Sequence, residues 1–304
     1  MKDLAAAFRV AGCDGSVSVV RLSDGERVEH AGGVPRVMAS LVKVPIALEF
    51  YTRVEIGDLD ESAAVALDPQ RCTPGPVGIS RFRFAVTASL ADLAYLMLTI
   101  SDNAATDVVI GAVGVDRVNE HLRAIGCNDT VVVGTLAETL DGFANDLGFD
   151  DYAQLLDAQR GSLGPEARVA SIDPHRIGGS RALDASAASR TTAADLTRLL
   201  TAVWADTAGP AEACGRLRSV MAEQVTRRLG PVVLPGGALA AKSGGLFRRV
   251  RNEMGVITDP GGDQYAVAVL TRTESADIDP RDVEAAMVET VGLAIAELRT
   301  HQQG

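Results

Sequence analysis

Several signatures are missing from this chain of 304 residues, and each absence removes a class of function. The opening stretch MKDLAAAFRVAGCDGS lacks the apolar core of about 7–15 residues that a secretory leader needs, and no run of about 18 apolar residues offers a membrane span. As given, starting from Met1, the chain reads as cytoplasmic with no membrane partner. Positive charge is in deficit: 29 Lys and Arg face 40 Asp and Glu, for a formal net charge of −11. A nucleic-acid partner needs a basic stripe and is excluded on that ground. An anionic small molecule is not, because local charge can oppose the global sign. Cys13, Cys72, Cys127 and Cys214 are scattered, without a C-x-x-C pair or a histidine at ligand spacing, so they read as free buried thiols and no metal is expected. No G-x-S-x-G elbow, G-x-G-x-x-G or P-loop occurs, so no cofactor is expected. His30, His121, His175 and His301 show no local pattern around a serine and read as surface or capping residues. The acidic segment Asp141 to Asp157 lacks calcium-loop spacing and reads as a solvated helix face.

What is present is the composition of a soluble globular protein, 47% hydrophobic and 23% charged, without repeats or low-complexity tracts. Residues 2–11 suit a short helix. Ser16 to Leu22 and Arg27 to His30 suit a hairpin about Asp24-Gly25. A helix is predicted from Ser40 to Ile56, with an irregular first turn because Pro45 removes a donor. Asp68 to Ser80 is a loop by its prolines and glycines. Ser89 caps a helix through Ile100, and further helices are predicted over 103–113, 115–125, 136–147, 149–159, from Thr192 to Trp204 and over 211–229. Strand-like runs follow at 238–243, 250–258 and 264–272, then a final helix over 281–300. This order predicts an α+β fold: an antiparallel sheet from both chain ends flanked by terminal helices, plus an inserted all-α domain. The expected division is a discontinuous sheet domain of 1–36 and 230–304, a helical domain of 37–229, and an active site between them.

Three short motifs carry the chemistry. Ser40-Leu41-Val42-Lys43 places a hydroxyl and an amine on one helical face, with Cβ atoms about 5–6 Å apart. A lysine shielded from water can activate a serine nucleophile. Alone, the pair reads more simply as a capping serine and a snorkelling lysine. Ser101-Asp102-Asn103 lies between two helices, and Lys242-Ser243-Gly244 lies on a strand followed by two more. Together, in order, spacing and context, they resemble the serine β-lactamase and penicillin-binding protein superfamily, most nearly its class A-like branch.

The resemblance implies a DD-peptidase/β-lactamase-like fold and a role for each residue. Ser40 is expected to become acylated and Lys43 to accept its proton. Ser101 relays a proton to the departing amine, and Asn103 holds the substrate's side-chain amide. Lys242 and Ser243 bind a substrate carboxylate, and the backbone N–H groups of Ser40 and Gly245 form the oxyanion hole, with Gly244 completing the strand motif. Asp102 is read as structural, fixing its turn through backbone hydrogen bonds. Arg248, Arg249 and Arg251 crowd the next strand, as an anion site to which Arg251 contributes or as charges guarding an edge. The expected partner is a small carboxylate-bearing molecule; the oligomeric state is left open.

The resemblance breaks between Gly134 and Arg190. Class A enzymes place a Glu-x-x-Leu-Asn pattern there to activate the deacylating water, and this chain has none. Glu138, in Glu138-Thr139-Leu140-Asp141, is the nearest candidate for a catalytic base, and Glu166 is a second. Three functions follow: a β-lactamase-like hydrolase, with slow deacylation as one form of it; a peptidase, esterase or acyltransferase acting on a peptide-like or natural-product substrate; or a non-catalytic penicillin-binding sensor.

Overall fold

The computed structural model describes residues 3–160 and 174–301. Glu166 lies outside the described residues, as do the side chains of His175 and His301. Helix α1 (Ala6–Val10) leads into β1 (Cys13–Arg21), which pairs with β2 (Arg27–His30) so that Val19 faces Val28, as the Asp-Gly turn predicts. A two-residue strand β3 (Arg36–Val37) precedes a 3₁₀ turn, Ala39–Val42, and helix α2 (Lys43–Glu55). Pro45 falls in the first turn of α2, where an N–H has no intrahelical acceptor, so it costs the helix no hydrogen bond. The irregularity is therefore the 3₁₀ turn before it.

A small hairpin of β4 (Ala64–Leu67) and β5 (Val86–Ser89) brackets the predicted loop. Ser89 then caps α3 (Leu90–Thr99) by accepting from Asp92 N. Helices α4 (Asn103–Val113), α5 (Val115–Ala124), α6 (Leu136–Asp146), α7 (Tyr152–Arg160) and the short α8 (Pro174–Gly178) follow. Strand β6 (Arg190–Thr191) pairs with β3, and Thr192 caps α9 (Ala193–Trp204). Four- and two-residue strands are too short to show a period, which is why these pairings were not visible in the sequence. Helix α10 (Ala211–Ala222) stops well short of the predicted Leu229. The buried Glu253 carboxylate accepts Arg228 N at 2.9 Å and Leu229 N at 3.1 Å, binding that segment to the sheet instead of continuing the helix.

Strands β7 (Ala238–Leu246), β8 (Val250–Thr258) and β9 (Gln264–Thr273) complete an antiparallel sheet of order β2-β1-β9-β8-β7, and α11 (Pro280–His301) closes the chain. Both ends of the sequence build this sheet, as expected. Central β9 is apolar on both sides because alternate residues enter different layers. Tyr265, Val267 and Val269 join α1 and α11 residues, whereas Ala266, Ala268 and Leu270 join the core that contains α2 and α9. A third cluster ties α6 to the β7–β8 turn, where Phe247 stacks on Phe143 with ring centroids 3.4 Å apart. No helix among the described residues is long and apolar enough to cross a membrane.

Candidate active site

Helix α2 is buried from Lys43 to Tyr51, and residues such as Ile46, Leu48 and Phe50 give it an apolar surround. Each such side chain contributes about 1.5–3 kcal/mol on burial, enough to carry one amine with it out of water. The 3₁₀ turn before it brings Ser40 and Lys43 onto one side, since residues three apart eclipse in that geometry. The turn is braced from outside. Asn252 Nδ2 donates to Val37 O at 2.9 Å and Met38 O at 3.3 Å. Gly244 lies so close that a Cβ there would stand 3.1 Å from both Met38 O and Ser40 N, a tight contact that the glycine relieves. Ala39 adopts φ +49°, a left-handed conformation that non-glycine residues seldom take, immediately before Ser40.

Lys43 Nζ donates to Ser101 O at 2.7 Å, Ser101 Oγ at 3.0 Å and Asn103 Oδ1 at 2.9 Å. Burial pushes its pKa down to about 7; the carboxylates of Asp102 and Asp107 oppose that fall. Both protonation states are satisfied here. The ammonium donates to three oxygens, while the neutral amine donates to the carbonyl and the amide and accepts from the Ser101 hydroxyl. Lys43 can therefore take up or release a proton without leaving a bond unmade. Ser101 is a second left-handed residue, at φ +62°. Asp102 holds that conformation: its carboxylate accepts Ala105 N at 3.2 Å, capping α4, and Ile79 N at 2.8 Å. Gly78, at φ +82°, is required opposite it, because a Cβ would fall 2.1 Å from Asp102 Oδ2. Asn103 Nδ2 also donates to Pro74 O at 3.0 Å, so the proline-rich loop closes onto the site.

Lys242 is buried on β7 and donates to Ser243 O at 2.9 Å. Burial, then the charges of Lys43 and Arg228, hold its pKa well below the ordinary lysine range. Lys43, Lys242 and Arg228 thus gather basic side chains at one place within an acidic protein. Arg251, expected at the anion site, donates to Glu284 Oε1 at 2.8 Å. Arg228 donates to the same oxygen at 3.0 Å, and its Nη2 lies 3.6 Å from where a Gly245 Cβ would stand. Arg228 was not singled out in the sequence because nothing local distinguishes it. Only the return of its segment to β8 places it there.

A cavity of about 80 Å³ opens beside Ser40, lined also by Asn103, Asp107, Leu136, Thr139 and Gly245. Glu138 does not line it. The exposed Glu138 carboxylate accepts Thr135 N at 2.7 Å while Thr135 Oγ1 accepts Glu138 N at 3.1 Å, a reciprocal capping box at the start of α6. The structure gives Glu138, read from the sequence as a candidate base, a capping role: Thr135-x-x-Glu138 is a capping signal, which the search for a Glu-x-x-Leu-Asn pattern overlooked. Asp107 is the only carboxylate lining the cavity among the described residues. It accepts Leu136 N at 2.7 Å, Ala137 N at 2.8 Å and Thr73 Oγ1 at 2.6 Å, joining α4, the proline-rich loop and α6.

Fold and motif arrangement together are those of the serine β-lactamase and penicillin-binding protein superfamily. The family model described as the β-lactamase enzyme family matches residues 1–298, and the chain belongs to that family. It is 32% identical over 303 residues to the β-lactamase regulatory protein BlaB of Streptomyces cacaoi, covering 95% of this chain and 94% of that protein. Its fold is that of a β-lactamase from Sphaerobacter thermophilus, at 24% identity, a TM-score of 0.71 and 95% of each chain. A PBP-A variant solved as an acyl-enzyme complex with penicillin G shares the fold, at 19% identity and a TM-score of 0.71 over 97% of this chain and 94% of that one.

Proposed function

We propose that this protein is a serine acylating protein of β-lactamase type, which opens carboxylate-bearing β-lactams at Ser40 and clears the acyl group slowly. The observation that carries the reading is Lys43: a fully buried amine titrating at about 7, one 3₁₀ turn from Ser40 and bonded to Ser101 and Asn103. Neutral Lys43 turns its lone pair from the Ser101 hydroxyl to Ser40 and takes the Ser40 proton as Oγ attacks the lactam carbon. The oxyanion forms against the N–H groups of Ser40 and Gly245. The C–N bond then breaks, Ser101 protonates the departing nitrogen, and Lys43 restores the Ser101 proton. Lys242 and Ser243 hold the substrate carboxylate, with Arg228 and Arg251 adding positive potential behind them.

Slow clearance follows from the opposite wall. Hydrolysis needs a base able to take a proton from water, and among the described residues the two carboxylates at the start of α6, Asp107 and Glu138, are both engaged in holding backbone N–H groups. This favours a second reading of the same site, a penicillin sensor that works by retaining its adduct, and the likeness to a regulatory protein supports it. A time course of intact mass with penicillin G tests both. A persistent adduct on Ser40 is expected; a transient one with rapid product release supports a hydrolase, and no adduct overturns the proposal.

A further inference from the structure

Gln224, just beyond α10, is buried, and all of its amide hydrogen-bonding directions but one oxygen lone pair are engaged. Nε2 donates to Ser243 Oγ at 2.7 Å and to Thr226 O at 2.6 Å, while Oε1 accepts from Ser243 N at 3.1 Å. Exchanging the amide nitrogen and oxygen would set two carbonyl oxygens together at Thr226 and two donors together at Ser243. The network therefore admits one orientation. In it an amide N–H points at the Ser243 oxygen, so the Ser243 O–H cannot point back at Gln224. Among the described residues none accepts that proton. A hydroxyl donor with a free direction, one residue from the buried Lys242, can complete a charge-assisted hydrogen bond to an anion.

We propose that Gln224 is a positioning residue that makes Ser243 a dedicated donor to the substrate carboxylate, and thereby sets the preference of the site for carboxylate-bearing acyl donors over neutral ones. The proposal rests on the acylation reading above. Gln224→Glu reverses the arrangement: a carboxylate accepts the Ser243 O–H and turns an oxygen lone pair toward the substrate. Gln224→Met keeps the bulk and leaves the hydroxyl free to rotate.

The test compares acylation rate constants of the unaltered protein and both variants with penicillin G and with its methyl ester, followed by intact mass. The acid-to-ester rate ratio is expected to fall by about tenfold or more in Gln224→Glu, the scale of one charged hydrogen bond, and by less in Gln224→Met. An unchanged ratio, or equal losses with both substrates, overturns the positioning role and assigns Gln224 to structure alone. Absence of an adduct with either substrate in the unaltered protein overturns the acylation reading and this inference with it.

Discussion

The two walls of the Ser40 cavity use the same kinds of side chain for opposite ends. On the α2 and β7 side, polar groups meet one another: Lys43 bonds to Ser101 and Asn103, and Gln224 to Ser243. On the α6 side, carboxylates meet backbone: Glu138 holds Thr135 N, and Asp107 holds Leu136 N and Ala137 N. An amine facing a hydroxyl, as Lys43 faces Ser101, can exchange a proton, whereas a backbone N–H keeps its own. On the proposed acylation the first wall is the reactive one and the second is scaffolding, and the identity of the acid or base does not reveal which.

The largest break in that contrast would come from the nucleophile. Ser40→Ala is expected to abolish every penicillin adduct, and intact mass showing persistent labelling would remove the reactive wall altogether. Lys43→Met should slow acylation by about 10²–10⁴, the usual worth of a general base. In the unaltered protein the acylation rate should climb with pH and level off above about 7, because the neutral amine is the base and its population grows as pH rises past that value. A flat stopped-flow profile from pH 5 to 9 would contradict it.

Asp107→Ala sharpens the contrast by freeing the start of α6. A loss of about 2 kcal/mol is expected in denaturant unfolding, from charge-assisted bonds to two buried-end N–H groups. Because the Asp107 charge opposes the fall in the Lys43 pKa, its removal should also move the acylation profile to lower pH. Glu138→Gln preserves the capping box, since either side chain can accept at that position. Adduct lifetime should therefore stay within about twofold of the unaltered value, taking a factor well under the tenfold steps of a lost catalytic group as the threshold; a markedly longer lifetime would return Glu138 to the mechanism.

The smallest expected effect lies away from the cavity. His121 Nδ1 meets Glu49 Oε2 at 2.7 Å and Nε2 meets Ala208 O at 2.5 Å. Burial works against the imidazolium, but the Glu49 carboxylate and the Ala208 carbonyl outweigh it and raise the pKa above 6.5. The folded state binds this proton more tightly than the unfolded chain. Its stabilisation is complete below about pH 6.5 and is lost as pH rises through the folded value. Thermal melts should show that decline, His121→Gln should remove it, and acylation should be unaffected; a decline that persists in the variant would release His121 from this role.

Much of this was legible along the chain. Asp24-Gly25, Ser89-x-x-Asp92 and Thr192-x-x-Asp195 mark a turn and two helix starts through contacts spanning a few residues, and each occurs where the sequence places it. The motifs of Ser40, Ser101 and Lys242 were equally visible, because their spacing within each element is local and their family likeness joins them. His121 was misread as a surface or capping residue, since its partners Glu49 and Ala208 are distant in sequence. Glu138 was ambiguous for the opposite reason: its partner is near, but the capping pattern competes with a catalytic one.

The sequence by itself determined most of the helices, the antiparallel sheet built from both ends and the three residues around which the site is organised. Only the tertiary structure decided the state of those residues. The Lys43 pKa depends on water removed by the whole α2 core, the Ser243 rotor on Gln224 folding back from α10, and the Arg228 position on Glu253 two strands away. Desolvation and hydrogen-bond direction are set by what surrounds a side chain in space, and no spacing along the chain encodes them.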